Sequence, residues 1–301
     1  MIIYLENGNQ IAGADLLSAI LRHDLVPIPL SLEMTAHASD ELKTYLQQGK
    51  KLTLGNGIEA TIVKSQAFKS QLVRDGKRSE AIAIVAVLSG CESLINATKK
   101  AVIHDAVTFS EIYRSLGAKV RFNTDIKVNS FACLKGLMPT KRIALALQKE
   151  AATIVYDIEA RVFNVVRLQD LFKNEAALYD PSNVHFFDHS QANTLLNTNY
   201  LSVDEDGTQI LGQAGEFKNI DYMPRCDSRE LLNLKRILIT KGVIVRSIDD
   251  RLSAGKILLI NEQKYVVLTN ATRFDTGSFG GQAVMASKAW IAQMVDTLGE
   301  K

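Results

Sequence analysis

The sequence predicts an α+β protein, predominantly β, in which two strand-rich regions flank a small α/β segment. Three observations carry this reading. Apolar and polar residues alternate with a period of two near both ends of the chain. Helix signatures with a proper start are concentrated in the middle. An internal echo links the halves: Gly49-Lys50-Lys51-Leu52-Thr53-Leu54, a polar turn and an apolar stretch over 58–63 are matched by Gly255-Lys256-Ile257-Leu258-Leu259-Ile260, a polar turn and 265–268. Strand, short turn, strand thus occurs once in each half, which points to duplicated β-domains. At 301 residues the chain exceeds one typical core, and the boundaries expected are 1–97, 98–172 and 173–301.

In the first region Leu30, Leu32 and Met34 alternate with Ser31, Glu33 and Thr35, the pattern of a half-buried strand. Gly55-Asn56-Gly57 between two strands is a hairpin signal, because these residues tolerate positive φ. The stretch 81–88 is apolar throughout and reads as core, and Arg74-Asp75-Gly76-Lys77-Arg78 before it reads as a polar loop tip. In the middle, Thr108-Phe109-Ser110-Glu111 is a capping box. Phe109, Ile112, Tyr113 and Leu116 share one helical face, and Gly117 stops the helix. A second helix follows Pro139-Thr140, burying Ile143, Ala144, Leu147 and Ala151; strands over 153–158 and 161–166 meet at Glu159-Ala160. Residues 173–224, rich in Asn, Asp and Ser, read as loops between short strands. Over 228–241 the spacing of Leu231, Leu234, Ile237 and Leu238 predicts a helix ended by Gly242. Strands are expected over 243–248, 257–260 and 265–269, while 281–298 fits a helix or a strand equally.

Composition excludes several classes. Lys and Arg number 35 against 33 Asp and Glu, and basic residues never run beyond doublets such as Lys50-Lys51 and Lys235-Arg236. A nucleic-acid binder needs a concentrated basic surface, so no nucleic-acid recognition is expected. The three cysteines, Cys91, Cys133 and Cys226, are odd in number and far apart, which fits buried thiols in a reducing compartment rather than a disulfide framework. The N-terminus has no signal-peptide pattern, and no apolar run approaches the ~20 residues that span a bilayer.

A search for chemistry returns little. No nucleophile elbow, phosphate-binding loop, zinc-protease helix or dinucleotide fingerprint is present. His185, Asp188 and His189 form the one compact set of potential metal ligands; after the turn-forming Asp180-Pro181-Ser182-Asn183 they read more simply as loop, with Phe186-Phe187 plugged into a core. Asp204-Glu205-Asp206-Gly207 lacks the alternating spacing of a calcium loop and reads as a hairpin tip. Asp249-Asp250 reads as a solvated doublet. Cys91 follows a core strand but has no identifiable His partner. His23 and His104 stand alone, and Gly277 with Gly280-Gly281 makes a loop without a phosphate-binding pattern. No catalytic, cofactor-binding or metal residue is therefore assigned. An enzyme with a metal at His185, Asp188 and His189 is the alternative.

The middle segment resembles phage baseplate hub proteins, a family that includes late-control tail proteins and the hub portion of type VI secretion spikes. The resemblance runs through Thr108-Phe109-Ser110-Glu111-Ile112-Tyr113-Arg114-Ser115-Leu116-Gly117, then Lys135-Gly136-Leu137-Met138-Pro139-Thr140-Lys141-Arg142-Ile143-Ala144, then Leu168-Gln169-Asp170-Leu171. Arg251-Leu252-Ser253-Ala254-Gly255-Lys256-Ile257 with Tyr265-Val266-Val267 is similar to a strand pair of that family's second barrel, with Lys256 where Asp usually follows the glycine. The resemblance implies two tube-like β-barrel domains around the α/β unit and a homotrimeric ring of pseudo-sixfold symmetry. It implies a virion structural protein of a contractile tail, assembled in the host cytoplasm. The ring would join the tail tube protein to a separate spike protein and contact other baseplate proteins. The strands over 30–35, 51–63 and 257–269 are the expected subunit interfaces.

Overall fold

Alternation of small or branched apolar residues with polar ones makes strand the commonest element of this chain. The computed structural model describes residues 1–74, 77–187, 198–213, 219–277 and 282–296. The first region holds β1 (Ile3–Leu5), β2 (Leu16–Asp24), β3 (Leu30–His37), a helical turn α1 (Asp40–Tyr45), β4 (Lys51–Leu54), β5 (Glu59–Arg74) and β6 (Lys77–Leu88). Along β3 the alternation is realised as read: Leu30, Leu32, Met34 and Ala36 are buried while Glu33 is exposed. The Gly55-Asn56-Gly57 turn closes β4 onto β5, with Gly57 at φ +77° and its N–H donating to the Leu54 carbonyl at 2.7 Å. Arg74 pairs with Lys77 at the end of the long β5–β6 hairpin, and of the loop tip read at 74–78 Asp75 and Gly76 lie outside the described residues.

The middle region follows as β7 (Val102–Thr108), α2 (Phe109–Ser115), β8 (Phe122–Thr124), β9 (Lys127–Cys133), α3 (Pro139–Lys149), β10 (Ala152–Asp157), β11 (Val162–Arg167) and a single turn α4 (Leu168–Leu171). The capping box is formed: the Thr108 N–H donates to Glu111 Oε2 at 2.9 Å and the Glu111 N–H to Thr108 Oγ1 at 3.4 Å. Gly117, at φ +86°, ends the helix as expected. The β10–β11 turn is tied by the Asp157 carboxylate, which accepts from the Glu159 and Ala160 N–H groups at 2.9 Å each. Phe109, Ile112 and Tyr113 of α2 and Ile143 and Leu147 of α3 join the buried residues of β3, β4 and β6 in one continuous core.

The last region holds β12 (Ala176–Leu178), β13 (Val184–Phe186), β14 (Thr198–Val203), β15 (Gln209–Leu211), β16 (Asn219–Tyr222), α5 (Ser228–Asn233), β17 (Arg236–Arg246), β18 (Ile257–Ile260), β19 (Gln263–Asp275) and β20 (Val284–Asp296). The helix expected over 228–241 is corrected here: it stops at Asn233, and Ile237 and Leu238 belong to β17. The β-branched residues Ile237, Ile239, Thr240, Val243, Ile244 and Val245 fit a pleated surface better than a helix, and the strand pairs with β20 from Arg236↔Asp296 to Arg246↔Ser287. Gly242 is not a helix stop. It sits within β17, where a Cβ would lie 3.0 Å from the His185 carbonyl oxygen of β13. The 281–298 segment resolves as strand β20 over its described part.

Twelve strands form one sheet with the main path β1-β4-β5-β6-β3-β2-β19-β20-β17-β13, and β12 attached to β18. Within it one strand order occurs twice. Numbering the six strands of the first region in chain order, they lie 1-4-5-6-3-2; β12, β13, β17, β18, β19 and β20, numbered likewise, also lie 1-4-5-6-3-2. Each unit has a helical turn between its third and fourth strands, α1 in the first and a 3₁₀ turn at Asp250–Leu252 in the second. One difference is that β1 runs antiparallel to β4 whereas β12 runs parallel to β18. The two units are fused through a seam in which β2 pairs antiparallel with β19 from Ser18↔Asp275 to Asp24↔Thr269. The ladders of the described residues trace an open sheet, and neither unit closes into a barrel by itself. β14, β15 and β16 form a separate small sheet inserted into the second unit.

Candidate functional site

Because side chains alternate across a pleated strand, the fused sheet has one face toward the core and one away from it. The open face carries Ser18, Glu33, Thr35, Lys64 and Gln66 in a shallow depression of ≈ 260 Å³ on the first unit. It continues over the seam through Arg273, whose guanidinium meets Asp275 at 2.7 Å, to Lys288, whose ammonium stands 4.9 Å from the centre of the Trp290 ring. Polar residues of both charges thus occur on this face in both units, interspersed with apolar ones such as Ile20, Val85 and Trp290.

The sheet's edges are unequal. The interface segments expected from sequence are corrected in part: the strand over 30–35 lies inside the sheet, with β2 on one side and β6 on the other. Likewise 257–260 is flanked by β12 and β19. β5 is different. Its outer edge holds β4 through Thr61 and exchanges backbone hydrogen bonds with Gly49 and Lys50 at Ile62, and beyond that no strand pairs with this edge among the described residues. β13 pairs with β17 on one side, and among the described residues no strand lies on its other side. Sequence reading missed both edges. The signal available was Phe68, an aromatic residue in a polar stretch that is 39% exposed.

The residues weighed for chemistry are dispersed. His185 lies exposed on β13, and Asp188 and His189 lie outside the described residues. No three His, Cys, Asp or Glu side chains converge as metal ligands among the described residues. Cys91 is fully buried, and burial, reinforced by the Glu92 carboxylate, pushes its thiol up to about 12, so no thiolate is available near neutral pH. Asp204 anchors the β14–β15 turn, its Oδ1 accepting from the Asp206 and Thr208 N–H groups. Asp249 is not a solvated carboxylate: both its oxygens take hydrogen bonds from Arg251, at 2.9 and 2.7 Å, which holds its pKa down. Arg251 and Arg246 both lie near the Tyr179 ring, so this loop is clamped rather than free. His104 Nε2 stands 2.9 Å from Ser115 Oγ at the surface. Gly277 is described, while Gly280 and Gly281 are not.

A cleft of ≈ 630 Å³ lies between β2, the β10–β11 hairpin and the loop at Ser253–Lys256. Asp157 on its rim is already engaged by its own turn. His23 lines it from the seam. It is 7% exposed, neither ring nitrogen makes a well-formed hydrogen bond among the described residues, and burial lowers its pKa to about 4 against the opposing influence of the Asp24 charge and the Tyr156 backbone.

No protein-family model matches the chain, and no curated protein is significantly similar to it in sequence. Solved structures do match its fold. A tail protein from Neisseria meningitidis MC58 has a TM-score of 0.63 at 6% identity, covering 97% of this chain and 95% of that one. The 43 kDa tail protein of prophage MuSo2 from Shewanella oneidensis gives 0.60 at 9% identity, covering 96% and 97%. The prophage tail protein gp18 from Listeria monocytogenes gives 0.55 at 12% identity, covering 97% and 94%. The chain thus shares, along nearly its whole length, the fold of phage tail proteins.

Proposed function

We propose that this chain is a structural component of a phage-tail baseplate: the central hub of a contractile tail, which assembles as a ring of three and joins the tail tube to the spike. The observation that carries the reading is the strand order 1-4-5-6-3-2 occurring twice in one continuous sheet. Three such chains present six similar units, so one assembly offers a pseudo-sixfold face to a hexameric tube and keeps a threefold axis for a spike. Closed symmetry favours a ring over an open filament. The tail-protein fold over nearly the whole chain supports the same reading.

In this role residues 1–97 and 173–301 form the two tube-like domains, each completed into a barrel wall by its neighbours, with 98–172 as the α/β domain between them. The work is mechanical, and no catalytic, cofactor-binding or metal residue is assigned. The protein belongs to the virion, assembled in the host cytoplasm. Among the described residues no helix is long and apolar enough to cross a membrane. Light scattering on a size-exclusion column across a concentration series tests the ring. The expected mass is three times 33.2 kDa, alone or on addition of tube protein. A chain that stays monomeric under both conditions overturns the proposal.

A further inference from the structure

The duplication reaches individual hydrogen bonds. In the first unit the Gly49 N–H donates to the Ile62 carbonyl at 2.8 Å and the Ile62 N–H to the Lys50 carbonyl at 2.9 Å. In the second the Gly255 N–H donates to the Val267 carbonyl at 2.9 Å and the Val267 N–H to the Lys256 carbonyl at 3.0 Å. The ladder register then shifts just after each of these strand residues, between Ile62 and Lys64 and between Val267 and Thr269. Ile62 and Val267 are therefore equivalent, and so are Lys64 and Thr269. From Lys64 and Thr269 the two strands continue in step, making Ala67, Phe68 and Lys69 the counterparts of Thr272, Arg273 and Phe274.

The partner strands can be matched the same way. Ile62 faces Ala86 and Val267 faces Ile291, which makes Ile84 the counterpart of Ala289. Ile84 faces Met34, which faces Ala19; Ala289 faces Ile244, which faces Val184. Ala19, Ile20 and Leu21 of β2 thus correspond to Val184, His185 and Phe186 of β13. In the seam these β2 residues pair with Phe274, Arg273 and Thr272 of β19. The β5 counterparts of those three β19 residues lie on the edge that has no strand partner.

Resting on the ring reading above, we propose that β13 of one subunit adds antiparallel to the free edge of β5 in the next, repeating between chains the seam that joins the two units within a chain. The register is Val184 opposite Lys69, His185 opposite Phe68 and Phe186 opposite Ala67. The occupant of each edge is a second copy of this chain because the chain already contains the same junction. Both edges also carry exposed large apolar side chains, Phe68 at 39% and Phe186 at 46%. The small Ala67 leaves room for the Phe186 ring, and His185 and Phe68 fall together on the open face. The two edges differ, so the contact is heterologous and propagates around a ring. It would also remove the exposed strand edge that a 16-residue β5 otherwise offers to aggregation.

Paired cysteines read the register. Residues directly opposite on antiparallel strands have Cα atoms within the span a disulfide can bridge, and the native Cys91, Cys133 and Cys226 are all buried. Under mild oxidation the double variant F68C/H185C is expected to shift on a non-reducing gel to a covalent species of three chains, lost on reduction. F68C or H185C alone, and the off-register pair K64C/H185C, are expected to stay single chains. If light scattering shows the trimer but F68C/H185C does not cross-link, or K64C/H185C cross-links instead, this edge contact is wrong and the ring stands. A protein that neither cross-links nor assembles removes both.

Discussion

His23 shows how one residue's burial becomes a property of the fold. It sits on β2 opposite Asn270 of β19, in the seam, with its ring edge-on to Tyr156 at 6.3 Å. Among the described residues the Asn270 side-chain oxygen and one Asp24 oxygen beside it also lack partners. Because the folded pKa is lowered from 6.5 to about 4, the unfolded chain binds a proton in that window and the folded chain does not. Stability is therefore expected to be full above about pH 6.5 and to fall as pH drops toward 4, by about 3 kcal/mol in total. Urea titrations between pH 4 and 7.5 measure this, and His23→Leu should flatten the contribution. An unchanged slope in that variant would place the acid sensitivity elsewhere. Asp24 follows His23 directly, so the variant isolates the imidazole from the carboxylate.

At the level of elements, the inserted segment is fastened to the middle region by a buried carboxylate, beside hydrogen bonds from Asn129 to Asp227 and from Asn233 to the Lys149 carbonyl. Glu150, at the end of α3, is buried and accepts from Arg229 of α5 at 2.6 and 2.9 Å and from Arg167 of β11 at 3.2 Å. Glu150→Gln keeps the shape and removes the charge, and about 2 kcal/mol of stability is expected to be lost in chemical unfolding. The exposed Lys173–Asp170 pair is the contrast: Asp170→Asn should change stability by less than about 1 kcal/mol. Elements of this kind divide by how local their causes are. The capping box at Thr108, the stop at Gly117, the Gly55-Asn56-Gly57 hairpin and the Asp157 turn were legible because each is set by residues within a few positions. The helix over 228–241 was misread because Leu231 lies in a short helix that Leu234 caps, and their spacing happens to continue into Ile237 and Leu238 of a strand. The free edges and the seam were not legible. They depend on which strands lie side by side, and no local pattern near Leu16–Asp24 points to a partner in β19. The echo at Gly49 and Gly255 was the visible trace of the duplication.

For the whole molecule, the boundary between the first and middle regions does not divide the core, whereas the last region has buried clusters of its own. Phe109 and Ile112 of α2 are fully buried in the same cluster as Leu32, Leu52 and Ile62 of the first unit. Phe109→Ala, a cavity substitution, is expected to cost about 3–5 kcal/mol. Native-state hydrogen exchange should then quicken in β3 and β6 by the same factor as in α2. Faster exchange confined to α2 and β7 would mean that the middle region opens by itself. The seam has a further consequence, in time rather than in space. Thr276 holds the Leu17 carbonyl across 259 positions of sequence, so β2 cannot find its proper neighbour until almost the entire chain has left the ribosome. Through most of synthesis the first unit waits with that edge bare, and contacts so distant in sequence form slowly. A neighbouring nascent chain could supply the missing β19 first, and two half-made chains would then be exchanged into each other. Correct manufacture therefore depends on each chain finishing its own seam before it meets another.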